Sequence, residues 1–303
     1  MTDPFIRALT GDDEQLSVTL VRRYETPIDD LWRALTDPDR VARWYGTIVG
    51  PVPRGPGDGF RVDIGGSAIR RARLEACDAP RALEYTWWSG DDDRGLVRVR
   101  LEPAGEGATE LTVHHDRLRP HRLVGYGAGW EGNLEALAAL MSGSEDETDA
   151  ATRVARWELL RSRPLEIEVN LDAPVARVWQ AWASADGLSR WWWTHWDDVS
   201  ITADVRVGGD YRIEAPGVGM SVVGRFVDVA PERRLAFTWM WTDADGASRD
   251  EAVDVTFERA EGGTRLVVRH TGPWTDDAPA ESYRQGWHFV LGELARAAAR
   301  TGP

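Results

Sequence analysis

The chain repeats itself, and this constrains its fold more than any other feature. Thr26-Pro27-Ile28-Asp29-Asp30-Leu31-Trp32-Arg33-Ala34 returns as Ala173-Pro174-Val175-Ala176-Arg177-Val178-Trp179-Gln180-Ala181, and Trp44 returns as Trp191 at the same offset of 147. Further on, 83–87 matches 235–239, 109–115 matches 264–270, and Gly129-Trp130 matches Gly286-Trp287, with the offset drifting only to 157. Loops therefore differ in length while elements do not. A chain of 303 residues accommodates two domains of roughly 100–200 residues each. The spacing predicts a first domain over 14–143, an acidic linker and short helix over 144–162, and a second domain over 163–301. The linker run 142–149 is polar and acidic, as a solvated segment would be. The helix after it carries Trp157, Leu159 and Leu160 and is expected to pack between the copies.

Within one copy, residues 16–24 alternate apolar and polar side chains, the period-two signature of a half-buried strand. Thr26 is then expected to cap a helix, with Pro27 at its first position and Asp29 completing an acidic capping box. Ile28, Leu31, Trp32 and Leu35 form one apolar helical stripe, repeated by Val175, Val178, Trp179 and Trp182. A short helix starts at Asp37-Pro38 and ends near Trp44, and about six strands follow. Phe60, Val62, Ile64; Leu83, Tyr85, Trp87; Val97, Val99, Leu101; and Leu111, Val113, His115 are each expected to share one face, with Glu84, Thr86, Arg98, Arg100, Glu110 and Thr112 on the wet face. A long helix over 121–141 closes the copy and is the one long element able to cover the apolar face.

Composition excludes several kinds of function. Acidic residues outnumber basic ones 50 to 36, so the surface repels polyanions and nucleic acid is not an expected partner. Every basic residue among the 36 is arginine, which removes Schiff-base lysine chemistry and lysine-dependent phosphate loops. No run approaches the roughly 18 apolar residues of a membrane span. The first 13 residues lack the order of a signal peptide, so a cytoplasmic protein with no membrane association is expected. The single Cys77 can form neither an intramolecular disulfide nor a cysteine zinc site and reads as a small buried hydrophobe. No cofactor is implied.

The order strand, two helices, about six strands, long helix, together with the repeated 26–44, 83–87, 109–115 and Gly129-Trp130 segments, resembles the START-like (SRPBCC) superfamily. Within it, the chain is similar to the homologues of the activator of the heat-shock protein 90 ATPase. The resemblance covers nearly all of both copies. It implies an α+β fold of two tandem START-like helix-grip domains, each a curved antiparallel sheet wrapped around a long C-terminal helix and enclosing an apolar pocket. It does not fix an activity, since the superfamily holds carriers, polyketide cyclases and many other proteins.

The 16 tryptophans cluster at Trp87-Trp88, at Trp191-Trp192-Trp193 with Trp196, and at Trp239 with Trp241. Consecutive tryptophans are not expected to face one core, so Trp192, Trp193 and Trp196 are surplus to it and suit a pocket mouth or an interface. Trp87, His115, Trp130, Trp192, Trp193, Trp239, Trp241, His270 and Trp287 are the candidate ligand-binding residues. His115 and His270 share one inward position, and no carboxylate or serine stands at a shared inward position beside them. If the chain is an enzyme, His270 and His288 are the first acid/base pair to consider. Gly127-Ala128-Gly129-Trp130-Glu131-Gly132 formally satisfies G-x-G-x-x-G without the strand that fingerprint needs; these glycines are expected to let the closing helix approach the sheet. Residues 194–198 mix metal-ligand types but read as a solvated turn, and no metal is expected. The leading reading is a non-catalytic module binding an apolar or aromatic small molecule. A polyketide cyclase or dehydratase using His270 as proton shuttle is the alternative, and a co-chaperone stimulating an ATPase of the heat-shock protein 90 type stands behind both. Surplus surface tryptophans would also suit a homodimer or a protein partner.

Overall fold

The structure is a computed structural model, described over residues 5–65, 69–88, 94–143 and 148–300. These residues form two compact units, one holding 5–7 and 11–158, the other 8–10 and 159–300. Linker residues 144–147 lie outside the described residues.

The first unit runs β1 (Phe5–Gly11), β2 (Leu16–Tyr24), α1 (Ile28–Thr36), α2 (Pro38–Val41), β3 (Thr47–Val49), β4 (Gly59–Asp63), β5 (Ile69–Asp78), β6 (Ala82–Trp88), β7 (Gly95–Pro103), β8 (Thr109–Leu118) and α3 (Leu123–Ser142), followed by α4 (Ala150–Ser162). Its strands make one sheet in the order β1-β2-β8-β7-β6-β5-β4-β3. The second unit repeats the plan with β9 (Leu165–Leu171), α5 (Val175–Trp182), α6 (Ala185–Leu188), β10 (Ser200–Ala203), β11 (Asp210–Ala215), β12 (Met220–Ala230), β13 (Arg234–Asp243), β14 (Gly246–Ala247), β15 (Glu251–Ala260), β16 (Gly263–Thr271) and α7 (Ala278–Arg300). Its sheet order is β10-β11-β12-β13-β15-β16-β9, with β14 paired to β13. Each unit is a helix-grip domain. Its first helices and its long closing helix take up the apolar side of an antiparallel sheet.

The repeat survives in atomic detail. Trp44 donates its indole N–H to the Ala34 carbonyl at 2.9 Å and Trp191 donates to Ala181 at 2.9 Å, each tying the turn after the second helix to the helix before it. The Thr109 and Thr264 hydroxyls likewise bond the carbonyls of Thr26 and Ala173, at 2.7 Å each. On α3, Leu123, Trp130, Leu134 and Leu137 are buried, and Tyr24 of β2 donates to the Leu134 carbonyl at 3.0 Å. The wet-face residues pair across strands as expected, Arg98 reaching Glu84 at 3.1 Å.

Several sequence expectations are corrected. Helix α1 begins at Ile28 with Pro27 in extended conformation as its cap residue, and no side chain caps it; Thr26 instead offers its carbonyl to Thr109. Strand β2 is buried on both faces, its polar side chains pairing with β8: Ser17 with Asp116 and Thr19 with His114, both at 2.8 Å. Cys77 is exposed: it lies one residue from the end of β5, past a register slip between Leu74 and Ala76 that sets it opposite Leu83. Ile64 lies beyond the end of β4 and is exposed. Gly127 makes room for Trp157 of α4, not for the sheet, since a Cβ there would overlap the indole ring. Trp157 is fully buried against α3 and donates to Glu131 at 3.1 Å. Strand β1 was not anticipated from the sequence.

Candidate functional site

In the second unit a cavity of about 550 Å³ opens between β13, the turn after α6, and one face of α7. That volume falls within the usual range of small-molecule pockets. Helix α7 contributes Pro279, Ser282, Tyr283, Gly286, Trp287 and Val290, spaced at three and four residues so that one helical face points at the cavity. Strand β13 contributes Trp239 and Trp241, two residues apart and thus on the same side of the sheet. Trp192 and Trp193 complete the wall.

The three successive tryptophans all join one core, against the expectation that they could not. Trp191 and Trp192 close a helical turn by donating their backbone N–H groups to the Leu188 carbonyl, at 3.2 and 2.9 Å. Trp193 then adopts φ of 52°, a left-handed conformation rare for a bulky residue. The chain doubles back there, so strand alternation does not apply, and the three rings are only 0%, 3% and 6% exposed. No tryptophan is among the exposed large apolar residues, which removes the argument for a dimer drawn from surface tryptophans. Trp192 meets Trp287 edge-on at 5.6 Å between ring centroids, Trp239 lies 5.4 Å from Trp287, and Trp193 meets Trp241 edge-on at 5.8 Å. Edge-to-face geometry is the favoured one for aromatic pairs, and two of these three contacts have it.

The first unit carries a cavity of about 360 Å³ in the same place, lined by Tyr45, Trp87, Tyr126 and Trp130 with Gly125, Gly129, Asn133 and two arginines. Tyr45 stands where Trp192 stands in the second unit, and Tyr126 where Tyr283 stands. Beneath it lies a second, apolar cavity of about 250 Å³ bounded by Trp32, Leu35, Leu74 and Tyr85. The corresponding interior of the second unit is nearly filled, to about 10 Å³, because Trp182 replaces Leu35 and Phe226 replaces Leu74.

Both histidines sit behind these walls. His115 and His270 are fully buried and line neither outer cavity. Desolvation pushes the pKa of each down to about 3, so both are neutral at neutral pH. The expected His270–His288 pair does not form: His288 is exposed, at the helix position Glu131 holds in the first unit, one step of about 100° past Trp287. His270 has a different neighbour. Glu251 lies 3.8 Å from His270 Nε2 and accepts from Trp274 at 3.0 Å, Tyr283 at 2.7 Å and Ser248 at 2.8 Å. Burial raises its pKa. This carboxylate beside the histidine belongs to the second unit alone and is not shared with the first. There Gly95 takes the position of Glu251, opposite Trp87 as Glu251 is opposite Trp239. A Cβ at Gly95 would collide with the His115 ring.

Tyr45, Tyr126, Tyr283, Glu251 and Trp274 were missed in the sequence. The repeat held the signal for the first three: Tyr126 and Tyr283 each stand four residues before the matched tryptophan, and Tyr45 follows Trp44 as Trp192 follows Trp191. Glu251 and Trp274 have no counterpart and gave no signal. Among the described residues, no group of three or more His, Cys, Asp or Glu side chains could hold a metal ion, and no helix is long and apolar enough to cross a membrane.

The sequence matches the profile of the family described as activator of Hsp90 ATPase homolog 1-like protein, twice, over residues 25–142 and 172–299. The chain belongs to that family. Both matches of this Hsp90-activator-homologue family start just before the first helix of a unit and end within its closing helix. Among solved structures, CalU16 from Micromonospora echinospora is 28% identical over 51% of this chain and 96% of that one, with a TM-score of 0.44. DynU16, from the dynemicin biosynthetic locus, is 22% identical over 95% of this chain and 98% of that one, with a TM-score of 0.39. A protein from Rhizobium leguminosarum is 24% identical over 46% and 95%, with a TM-score of 0.40. Comparison with curated proteins gives no match.

Proposed function

We propose that the second unit binds a flat aromatic or apolar small molecule in the cavity between β13 and α7, without turning it over. One observation carries this reading: a cavity of about 550 Å³ walled by Trp192, Trp193, Trp239, Trp241, Tyr283 and Trp287. Such a wall offers large apolar area and ring faces for stacking, held by side chains that are already packed and lose little freedom on binding. Asp243 and Asp245 stand at its rim. Trp241 donates to Asp243 at 2.7 Å and holds that carboxyl below its ordinary pKa, so the rim is negative and disfavours anions.

Binding is supported over turnover by the withdrawal of the histidines. A general base needs to reach the substrate within about 3 Å or through one water, whereas His270 is enclosed by Trp239, Trp274, Tyr283 and Trp287. Tyr283 reaches the cavity, but its hydroxyl donates to Glu251 and burial raises its pKa, so it stays neutral. The test is a titration of intrinsic tryptophan fluorescence with neutral aromatic molecules, from naphthol to multi-ring polyketides. Saturable quenching without chemical change in the titrant is the expected result. Conversion of the titrant to a new product would overturn the non-catalytic reading.

A further inference from the structure

We infer that the first unit's outer cavity is a separate site for aromatic acids, in which rings lie against Tyr45 and Trp130 and a carboxylate meets Arg70. The two outer cavities share a scaffold and differ in the charged side chains described in their walls. Arg122, Gly125, Tyr126, Gly129, Trp130 and Asn133 of the first recur as Pro279, Ser282, Tyr283, Gly286, Trp287 and Val290 of the second, at a constant offset of 157. Strand register places Val222 where Arg70 stands, since Leu74 pairs with Tyr85 as Phe226 pairs with Phe237, and Arg70 and Val222 each lie four residues earlier on their strands. Among the described residues, the first cavity is lined by two arginines and no carboxylate, and the second by two aspartates and no basic group.

Arg70 supplies the second observation. Its Nε is buried without a hydrogen-bond partner among the described residues. Leaving a charged donor unsatisfied costs more than leaving a neutral one, and a carboxylate is the acceptor that matches a guanidinium best. Aromatic character comes from the wall: Tyr45 and Trp130 are stacked at 5.4 Å with their planes 13° apart, and Trp87 flanks Tyr45 at 5.7 Å. An aryl ring extends such a stack, whereas a flexible chain would not use it. Tyr45 and Trp130 also bound the inner apolar cavity, which gives room for an apolar substituent.

The experiment uses the intact chain and calorimetric titration with naphthoate, its neutral isostere naphthamide, and naphthylmethylammonium. Naphthoate is expected to bind, and Arg70→Gln to weaken it by roughly 10–100-fold while leaving naphthamide within about twofold. Gly129→Leu fills the first cavity from an exposed helical position whose new Cβ has open space; it is expected to abolish naphthoate binding and to leave naphthylmethylammonium unaffected. Gly286→Leu, equally open, is expected to do the reverse. Naphthoate that does not bind, that survives Gly129→Leu, or that is lost with Gly286→Leu instead, overturns the inference. Because naphthylmethylammonium and Gly286→Leu report on the second cavity alone, failure there is read separately.

Discussion

Trp287 donates its indole N–H to Nδ1 of His270 at 3.3 Å, and Trp130 makes the same bond to His115 at 3.0 Å. An indole nitrogen can only donate, so each imidazole accepts at Nδ1 and carries its proton on Nε2. Each Nε2 is buried without a hydrogen-bond partner among the described residues. Protonating either ring would place a second N–H against the indole N–H. The pair thus fastens the last strand of each sheet to its closing helix, and it works only with a neutral histidine.

Stability should therefore fall on mild acidification. With the folded pKa near 3 and an unfolded value of about 6.5, only the unfolded chain takes up the proton between those limits. Stability is complete above about pH 6.5 and is lost as pH falls below it, by about 1.4 kcal/mol per pH unit for each histidine. Glu251 has the opposite sign, since its raised pKa lets the folded second unit bind a proton more readily than the unfolded chain. Urea unfolding at pH 7, 6 and 5 should show a steeper loss in the first unit, and His115→Gln should flatten it. Equal stability at all three values would contradict this account.

Glu131 is a second buried charge with a structural task. It accepts from Arg7 at 2.7 and 3.0 Å, from Arg156 at 2.7 Å and from Trp157 at 3.1 Å, and is 0% exposed. Glu131→Gln leaves buried guanidinium charge uncompensated and should destabilise the first unit by about 3–5 kcal/mol, read from the denaturation midpoint. A loss under about 1 kcal/mol would mean that the network contributes little.

Filling the inner cavity of the first unit should stabilise it. Leu35 lines that cavity of about 250 Å³ where Trp182 occupies the filled interior of the second unit. Leu35→Trp is expected to add about 0.5–2 kcal/mol, seen as a rise in melting temperature. A fall would show that the two interiors differ in shape as well as in volume.

The aromatic wall and the histidine behind it should separate in binding. Trp241 is half-buried at the cavity edge, so Trp241→Ala should weaken a neutral aromatic ligand by roughly 5–30-fold with little change in melting temperature. His270→Gln should destabilise the unit and leave affinity within about twofold. Trp239→Ala should lose both affinity and about 3–5 kcal/mol of stability, since Trp239 is buried.

Fold and site were unequally legible in the sequence. The repeated 26–44 and Gly129-Trp130 segments located the helices and closing helices of both units, because periodicity and prolines act locally. Strand β1 was missed because it adds to the sheet edge of one unit and has no second copy to reveal it. Trp87, Trp130, Trp192, Trp193, Trp239, Trp241 and Trp287 do line cavities, since large aromatic side chains that interrupt a pattern must go somewhere apolar. Arg70, Asp243 and Glu251 were invisible: each is one charged residue in a strand or turn, and only the register of its neighbours decides whether it faces water or a cavity. His288 misled for the same reason, standing one helical step from the residue that does face inward.

The most direct test of the central claim is calorimetric titration of the intact chain and of its Gly286→Leu and Gly129→Leu variants with naphthol. Saturable binding that Gly286→Leu abolishes and Gly129→Leu preserves is the predicted result. Binding that survives Gly286→Leu, or no heat of binding in the unaltered chain, would contradict the assignment of the second unit's cavity as an aromatic ligand site.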